Sequence, residues 1–163
     1  MKSKKVLHLV QGAAIAAIYV VLVLIFNMWS FGPIQFRIAE ALTILPFFTP
    51  AAIPGLFVGC LLANLIGNAI LADIIFGSLA TLIGALGSYA LRKQKWLVPL
   101  PPILANTLIV PFVLKFGYGA EEAIPFMMLT VGLSEVIVCG IIGLILLHSL
   151  SPLKHWVFGA NLT

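Results

Sequence analysis

Three acidic residues lie in or beside strongly apolar segments, where an ionised side chain is difficult to accommodate. They are Glu40, Asp73 and Glu135, and the 163-residue chain has only five Asp and Glu residues in all. A charge inside an apolar layer costs a few kcal/mol, so such residues face protein or a wet cavity. Glu135, beside Ser134, lies farthest inside an apolar segment, and we interpret it as a ligand-binding carboxylate. A buried structural ion pair with Arg37 is the alternative.

For the other acidic residues, the sequence leaves open whether they bind a ligand or have a structural role. Arg37 and Glu40 are three positions apart, so they could form a local ion pair on one helical face or bind a ligand. Asp73 could bind a ligand or cap a helix N-terminus, where negative charge is favoured. Glu121 and Glu122 are more typical of a solvated loop than of a ligand site.

Amide and aromatic side chains add to a candidate polar pocket. Asn64 and Asn68 are four positions apart and are expected to share one face of a helix, and Asn106 lies in another apolar segment. Each amide could equally serve to join two membrane helices. A flat heteroaromatic ligand could bind such amides and carboxylates through its N–H groups. Its rings could stack on Trp29, Phe36 and Tyr118.

Small residues form a stripe in the first apolar segment. Gly12, Ala13, Ala16 and Ala17 give overlapping small-xxx-small spacings, which let helix backbones approach closely. The stripe could pack inside the protein or receive a partner protein, and the sequence does not decide between them.

The residue patterns of catalytic and metal sites are missing from the sequence. It has no Walker A phosphate loop, no Gly-x-Ser-x-Gly elbow and no His-Glu-x-x-His motif. Cys60 and Cys139 lack ligand-like spacing, and His8, His148 and His155 lie far from the acidic residues. We therefore expect no catalytic residue, no bound metal, no cofactor and no ATP hydrolysis by this chain, which we do not expect to be an enzyme.

Composition explains why the polar residues are informative. The chain is 62% hydrophobic and 9% charged, whereas a soluble domain has about 25% charged residues. A bilayer-crossing helix needs roughly 20 apolar residues, so the chain has room for about six spans. The net charge of +4 forms no basic face, so nucleic acid is not expected as a partner. We predict a multi-pass protein of the cell membrane.

The apolar runs predict one membrane domain over residues 1–163, an all-α bundle of six transmembrane helices. Pro46, Pro50 and Pro54 divide a run that is too long for one span, because proline breaks a helix. The predicted helices cover approximately 6–27, 39–49, 52–68, 73–91, 97–116 and 125–150.

The distribution of basic residues predicts that both termini are cytoplasmic. With six spans, one side of the membrane holds seven of the nine Lys and Arg residues, as the positive-inside rule expects. Arg37 and Lys115 are left opposite. This topology places all five acidic residues on the outer side or in the outer half of the bundle.

Three segments resemble the QueT family, the S-components of energy-coupling factor (ECF) transporters assigned to queuosine-precursor uptake. The segments are Phe-Arg-Ile-Ala-Glu-Ala-Leu-Thr-Ile-Leu-Pro at 36–46, Gly-Leu-Phe-Val-Gly-Cys-Leu-Leu-Ala-Asn at 55–64, and Asp-Ile-Ile-Phe-Gly-Ser-Leu-Ala-Thr-Leu at 73–82. The resemblance implies capture of a ligand from outside, in a pocket closed by outer loops at 27–37 and 117–125. The implied ligand is 7-aminomethyl-7-deazaguanine (preQ1) or a related deazapurine.

The resemblance also implies partners and residue roles. The face of Ala13 and Ala17 would dock onto the membrane coupling protein EcfT, which two cytoplasmic ATPases, EcfA and EcfA′, drive. Glu40 and Glu135 are our candidates for the guanine-like edge and the aminomethyl cation, with the Asn side chains on the remaining edges.

Other functions remain open at this stage. The chain could be an S-component for a different vitamin, or a small non-enzymatic membrane channel or structural protein. Pore-lining groups should occur in both leaflets, whereas the predicted topology confines the acidic residues to one.

Overall fold

The apolar runs fold into helices, and the chain changes direction where prolines, glycines and charges interrupt them. The computed structural model describes residues 2–26 and 36–158, apart from the side chains of residues 2–4 and 155. This part of the chain is mostly helical and has no β-strand, which confirms the all-α prediction. In chain order the helices are α1 (Lys2–Ile25), α2 (Ile38–Phe47), α3 (Ala52–Ile66), α4 (Asp73–Ala90), α5 (Lys95–Gly117), α6 (Ile124–Leu153) and the short α7 (Lys154–Phe158).

Four of these helices are long and apolar enough to cross a membrane. They are Lys5–Ile25 within α1, and the whole of α4, α5 and α6. The helices α2 and α3 are also apolar, but they have 10 and 15 residues. At 1.5 Å per residue, even α3 is shorter than the roughly 30 Å hydrocarbon core. The chain is therefore a multi-pass membrane protein, whose described part has four long apolar helices and the two shorter apolar helices α2 and α3.

The short helix α2 lies in the interior of the bundle. It is a 3₁₀ helix, and eight of its ten residues, Ala39–Pro46, are buried. It contacts α1, α3, α4 and α6. A 3₁₀ helix of this length is uncommon because its hydrogen bonds are poorer than those of an α-helix. Packing on several sides therefore stabilises α2.

The predicted break between the second and third helices is present. The helix α2 ends at Phe47, and a turn at Thr49 and Pro50 leads into α3. The other end of α3 differs from the prediction, because the helix stops at Ile66 rather than at residue 68. Asn68 follows in a left-handed conformation with φ of 57°.

The helices α1 and α3 approach each other closely. A Cβ atom added to Gly55 would lie 2.6 Å from the carbonyl oxygen of Gly12, and one added to Gly59 would lie 3.0 Å from Cα of Ala16. Real Cβ atoms are essentially never found at the shorter of these distances, so only glycine fits at position 55 in this arrangement. Close contact here brings Tyr19, farther along α1, against the interior of the bundle, where it is fully buried.

We predict that Gly55→Ala destabilises the protein by about 1–3 kcal/mol, because overpacking of a close contact forces the two helices apart. The measurement is thermal unfolding of the purified protein in detergent. The control is Ala14→Val, an exposed position on α1, which should leave the transition unchanged. Equal stability of Gly55→Ala and the wild type would contradict the close contact.

Candidate functional site

Glu40 lies in the first turn of α2 and is 1% exposed. Its Oε1 atom accepts hydrogen bonds from the hydroxyl groups of Tyr19 on α1 and Thr81 on α4, the second at 2.9 Å. Its Oε2 atom has no hydrogen-bond partner among the described residues. One oxygen is thus held by two helices, and the other retains its capacity to accept a hydrogen bond.

A second acidic residue, Glu135, reaches the same place from α6. Glu135 is 5% exposed and lies eleven residues after Ile124, roughly 16 Å along the helix at 1.5 Å per residue. The π-helical segment Val136–Ile142 follows directly and packs against α2. One donor atom from each of Glu40, Glu135 and Cys139 lies within 4.8 Å of the others. The fold therefore brings the two predicted ligand-binding carboxylates together.

Cys139 connects the two acidic residues. Its Sγ atom lies 3.1 Å from Oε2 of Glu135 and 3.3 Å from the backbone oxygen of Glu40, and it donates to both. Thr43, one turn along α2, donates to the same backbone oxygen at 2.6 Å. These contacts hold α2 against α6 through polar groups rather than through apolar packing alone.

The paired carboxylates concentrate negative charge and acceptor atoms in an apolar interior. Two ionised carboxylates about 4.8 Å apart would repel by roughly 3–4 kcal/mol at an effective dielectric constant near 20. Such a pair can accept N–H groups of a ligand and stabilise a positive charge between them.

A second polar cluster lies closer to the end of the bundle where α4 begins. Arg37 Nη2 and Asp73 Oδ2 form a salt bridge of 2.7 Å, and both side chains are buried. The hydroxyl group of Tyr118, in the segment after α5, donates to the same Asp73 oxygen at 3.1 Å. The sequence offered Glu40 or Glu135 as the ion-pair partner of Arg37, and the salt bridge in the structure is with Asp73 instead.

The three predicted amide side chains have different surroundings. Asn64 is buried and donates to the backbone oxygen of Asp73 at 3.1 Å, so it joins α3 to α4. Asn106 on α5 is buried and interacts with Glu135. Asn68 is exposed. The prediction that Asn64 and Asn68 share a helical face is wrong, because α3 ends before Asn68.

The predicted aromatic site residues that the structure describes are only partly buried. Phe36 is half-buried, Tyr118 is 39% exposed, and Trp29 lies outside the described residues. Lys115 donates to the backbone oxygens of residues 120, 121 and 122, which orders the loop through its main chain. Glu121 is exposed, in agreement with the interpretation of a solvated loop.

Sequence reasoning missed Tyr19, Thr81 and Cys139, all of which contact the acidic pair. A signal was available for the first, because a buried tyrosine hydroxyl usually finds a hydrogen-bond partner. Threonine and cysteine are common in membrane helices without such a role, so only the fold identifies the other two.

The small-residue stripe divides between two environments. Gly12 and Ala16 pack towards α3, while Ala13 and Ala17 are exposed. A shallow groove of about 260 Å³ runs between α1 and α3, and it is lined by His8, Leu9, Gly12, Ala13, Ala16, Pro54, Gly55 and Val58. Both interpretations of the stripe therefore have structural support.

The apolar helices and their buried polar cluster define a multi-pass helical membrane protein with a polar interior. The chain belongs to the QueT transporter family, whose sequence model matches residues 9–152. A transporter family agrees with the expectation that the chain is not an enzyme.

A curated relative supports the family assignment. The queuosine precursor transporter QueT of Lactococcus lactis subsp. cremoris (strain MG1363) is 36% identical over 85 residues, or 51% of this chain and 50% of the relative. The aligned region thus spans about half the length of that relative. No solved structure matches the chain.

We predict that the phenol of Tyr118 titrates at unusually high pH. Burial, together with the negative charge of Asp73, raises the pKa of Tyr118 to about 12, because both disfavour the phenolate. The measurement is the ultraviolet titration of the wild type minus that of Tyr118→Phe. Asp73→Asn should move this titration towards the ordinary value of about 10. A titration at 10 in the wild type would show that Tyr118 does not contact Asp73.

Proposed function

We propose that this chain is the substrate-binding S-component of an ECF-type importer. It captures preQ1 or a related deazapurine from outside and delivers it for ATP-driven uptake. The observation that carries the proposal is the meeting of Glu40 and Glu135 in the interior of a QueT-family chain. An S-component for another vitamin is the alternative within the same class.

The chemistry of the ligand supports this assignment. A guanine-like edge presents adjacent N–H donors, which a carboxylate can accept as a pair. The aminomethyl group carries a positive charge, which needs a second carboxylate. Glu40 Oε2 has its acceptor capacity available, and Asn106 lies beside Glu135 to bind a further edge. Two neighbouring acidic residues suit a ligand with N–H donors and a positive charge better than they suit a vitamin whose ring is neutral.

The proposed topology has six spans and cytoplasmic termini. The proposed cytoplasmic ends of α1, α4 and α6 lie near the exposed basic residues Lys5, Arg92 and Lys154, respectively. The opposite end holds the starts of α2 and α4, with Asp73 and its partners. In this orientation the salt bridge of Arg37 with Asp73 and the hydroxyl group of Tyr118 lie between the acidic pair and the outer solution.

The proposed docking surface is the exposed part of the small-residue stripe. Ala13 and Ala17 present little side chain and flank an apolar groove between α1 and α3. A helix of EcfT could approach closely there, since small residues allow backbones to pack in a membrane. EcfA and EcfA′ would then supply ATP hydrolysis, for which this sequence has no motif.

A channel fits the described polar groups less well. Near the opposite end of the bundle, Gln11 accepts from Thr49 and donates to the backbone of Phe158. Ser88 donates to the backbone of Val98 at 2.7 Å. These groups satisfy one another across helix contacts, as inter-helix hydrogen bonds do, rather than lining a continuous path.

We predict that the purified protein binds preQ1 in preference to guanine, riboflavin and thiamine. Glu135→Gln should weaken preQ1 binding at least about tenfold, equivalent to about 1.4 kcal/mol, because it removes one of two charges around the cation. Isothermal titration calorimetry gives the affinities, and an unchanged thermal transition shows that the variant folds.

Glu121→Gln is the matched control for this experiment, since Glu121 is an exposed loop residue. It should bind with wild-type affinity. Unchanged affinity of Glu135→Gln would remove Glu135 from the site. Binding of another vitamin with no binding of any deazaguanine would reject the substrate.

A separate prediction addresses the partner. Ala13→Trp should abolish co-purification with EcfT, EcfA and EcfA′ and leave preQ1 affinity intact, because the bulky ring fills the groove without entering the bundle. Ala14→Trp is the matched control: the residue is exposed next to Ala13 but does not line the groove. Loss of both assembly and binding in Ala13→Trp would indicate that the stripe serves internal packing.

A further inference from the structure

We propose that the Glu40–Glu135 pair holds one shared proton in the ligand-free protein, and that a cationic ligand releases this proton when it binds. The inference rests on the proposed function, because it concerns the same site and a ligand with a positive charge. It adds that ligand capture exchanges one cation, the proton, for another, the ligand.

The geometry creates the need for a positive charge. The two side chains are 1% and 5% exposed, and their nearest donor atoms lie within 4.8 Å of each other. Water cannot screen the charges at this burial, and like-charged carboxylates that share a site do not both ionise. A carboxyl proton is the smallest group that relieves the repulsion.

The neighbouring helices supply hydrogen-bonding groups to the pair, but no unengaged positive charge among the residues that the structure describes. Tyr19 on α1, Cys60 on α3 and Cys139 on α6 are the titratable groups that face it. Their ordinary neutral forms leave the pair's charge unbalanced. The helix α4 contributes Thr81, and α5 contributes the uncharged Asn106.

Arg37 is the nearby basic residue, and its charge is already balanced. It forms the buried 2.7 Å salt bridge with Asp73, so the guanidinium and that carboxylate cancel. The excess negative charge of the interior therefore resides on Glu40 and Glu135, and one shared proton lowers it from two charges to one.

Glu40 also shows where the exchange would occur. Two hydroxyl groups donate to its Oε1, whereas its Oε2, buried with the rest of the side chain, has no partner within the described part of the chain. An arriving ammonium group can donate to this oxygen and to Glu135. The proton on the pair then loses its stabilisation and passes to the buffer, so the charge of the site stays constant.

The exchange has a defined pH dependence. Where the free pair holds the proton, the affinity for the cationic ligand should rise up to about tenfold per unit of pH, since one proton leaves for each ligand bound. At higher pH, where the free pair has already lost the proton, the affinity should become independent of pH. The neutral compound 7-deazaguanine, which lacks the aminomethyl group, should leave the proton in place.

The test is calorimetry of preQ1 binding to the full chain at one pH in two buffers of different ionisation enthalpy. We expect about one proton released per preQ1 and none per 7-deazaguanine. Release should be lost in Glu135→Gln, whose amide mimics a permanently protonated side chain, and kept in Cys139→Ser, which retains a donor without a titratable thiol. Binding of preQ1 without proton release would overturn the inference and leave the proposed function standing.

Two further measurements test whether the released proton comes from the carboxylate pair or from the thiol of Cys139. Release that survives in Glu135→Gln but disappears in Cys139→Ser would assign the proton to the thiol and overturn the inference. Infrared spectroscopy reads the ligand-free protein directly: the wild type should show the carbonyl band of a protonated buried carboxyl group, and Glu135→Gln should lack it. Absence of this band would also overturn the inference, and absence of binding by any deazaguanine would overturn the proposed function with it.

Discussion

The burial of an acidic side chain on the 3₁₀ helix α2 is the constraint on which the rest of this structure depends. The helix α2 carries Glu40 into an apolar interior, where a carboxylate without partners is costly. Partners of the carboxylate come from other helices, Tyr19 from α1 and Thr81 from α4, and Cys139 from α6 donates to the backbone oxygen of Glu40. No single helix could satisfy this group, so the bundle must assemble around α2 for its acidic residue to be tolerated.

Close helix packing makes these contacts possible. Gly55 lets α1 approach α3, and Gly84 lets α4 approach α5, where an added Cβ would lie 2.7 Å from Pro102. In a membrane the helices gain little from hydrophobic association, so small residues and hydrogen bonds between helices carry more of the packing. On α1, the stripe of small residues packs towards α3 on one side and leaves Ala13 and Ala17 exposed on the other. Internal packing and the proposed docking surface therefore use neighbouring residues of one helix.

The helical character of the apolar runs could be predicted from local signals, since apolar length and proline position act within a few turns of the chain. Of the three prolines that predicted a break, Pro50 lies in the turn between α2 and α3, whereas Pro46 lies inside α2 and Pro54 inside α3. The failures lie where tertiary context overrides periodicity. Asn68 continues the helical spacing of Asn64, yet the chain turns after Ile66 and leaves Asn68 exposed. The 3₁₀ form of α2 is likewise a product of packing, because its residues do not specify it.

The sequence by itself determined that this is a helical membrane protein with a few acidic residues in unfavourable places. Composition and hydropathy decide those features, because they depend on solvation of each segment separately. Only the tertiary structure decided the pairings: Arg37 with Asp73, and Glu40 beside Glu135 and Cys139. The two sides of each pairing lie far apart in the chain, and the distances between them depend on how α2, α4 and α6 cross. The same carboxylates could have formed separate ion pairs, and the crossing of α2 and α6 is what joins them in one site.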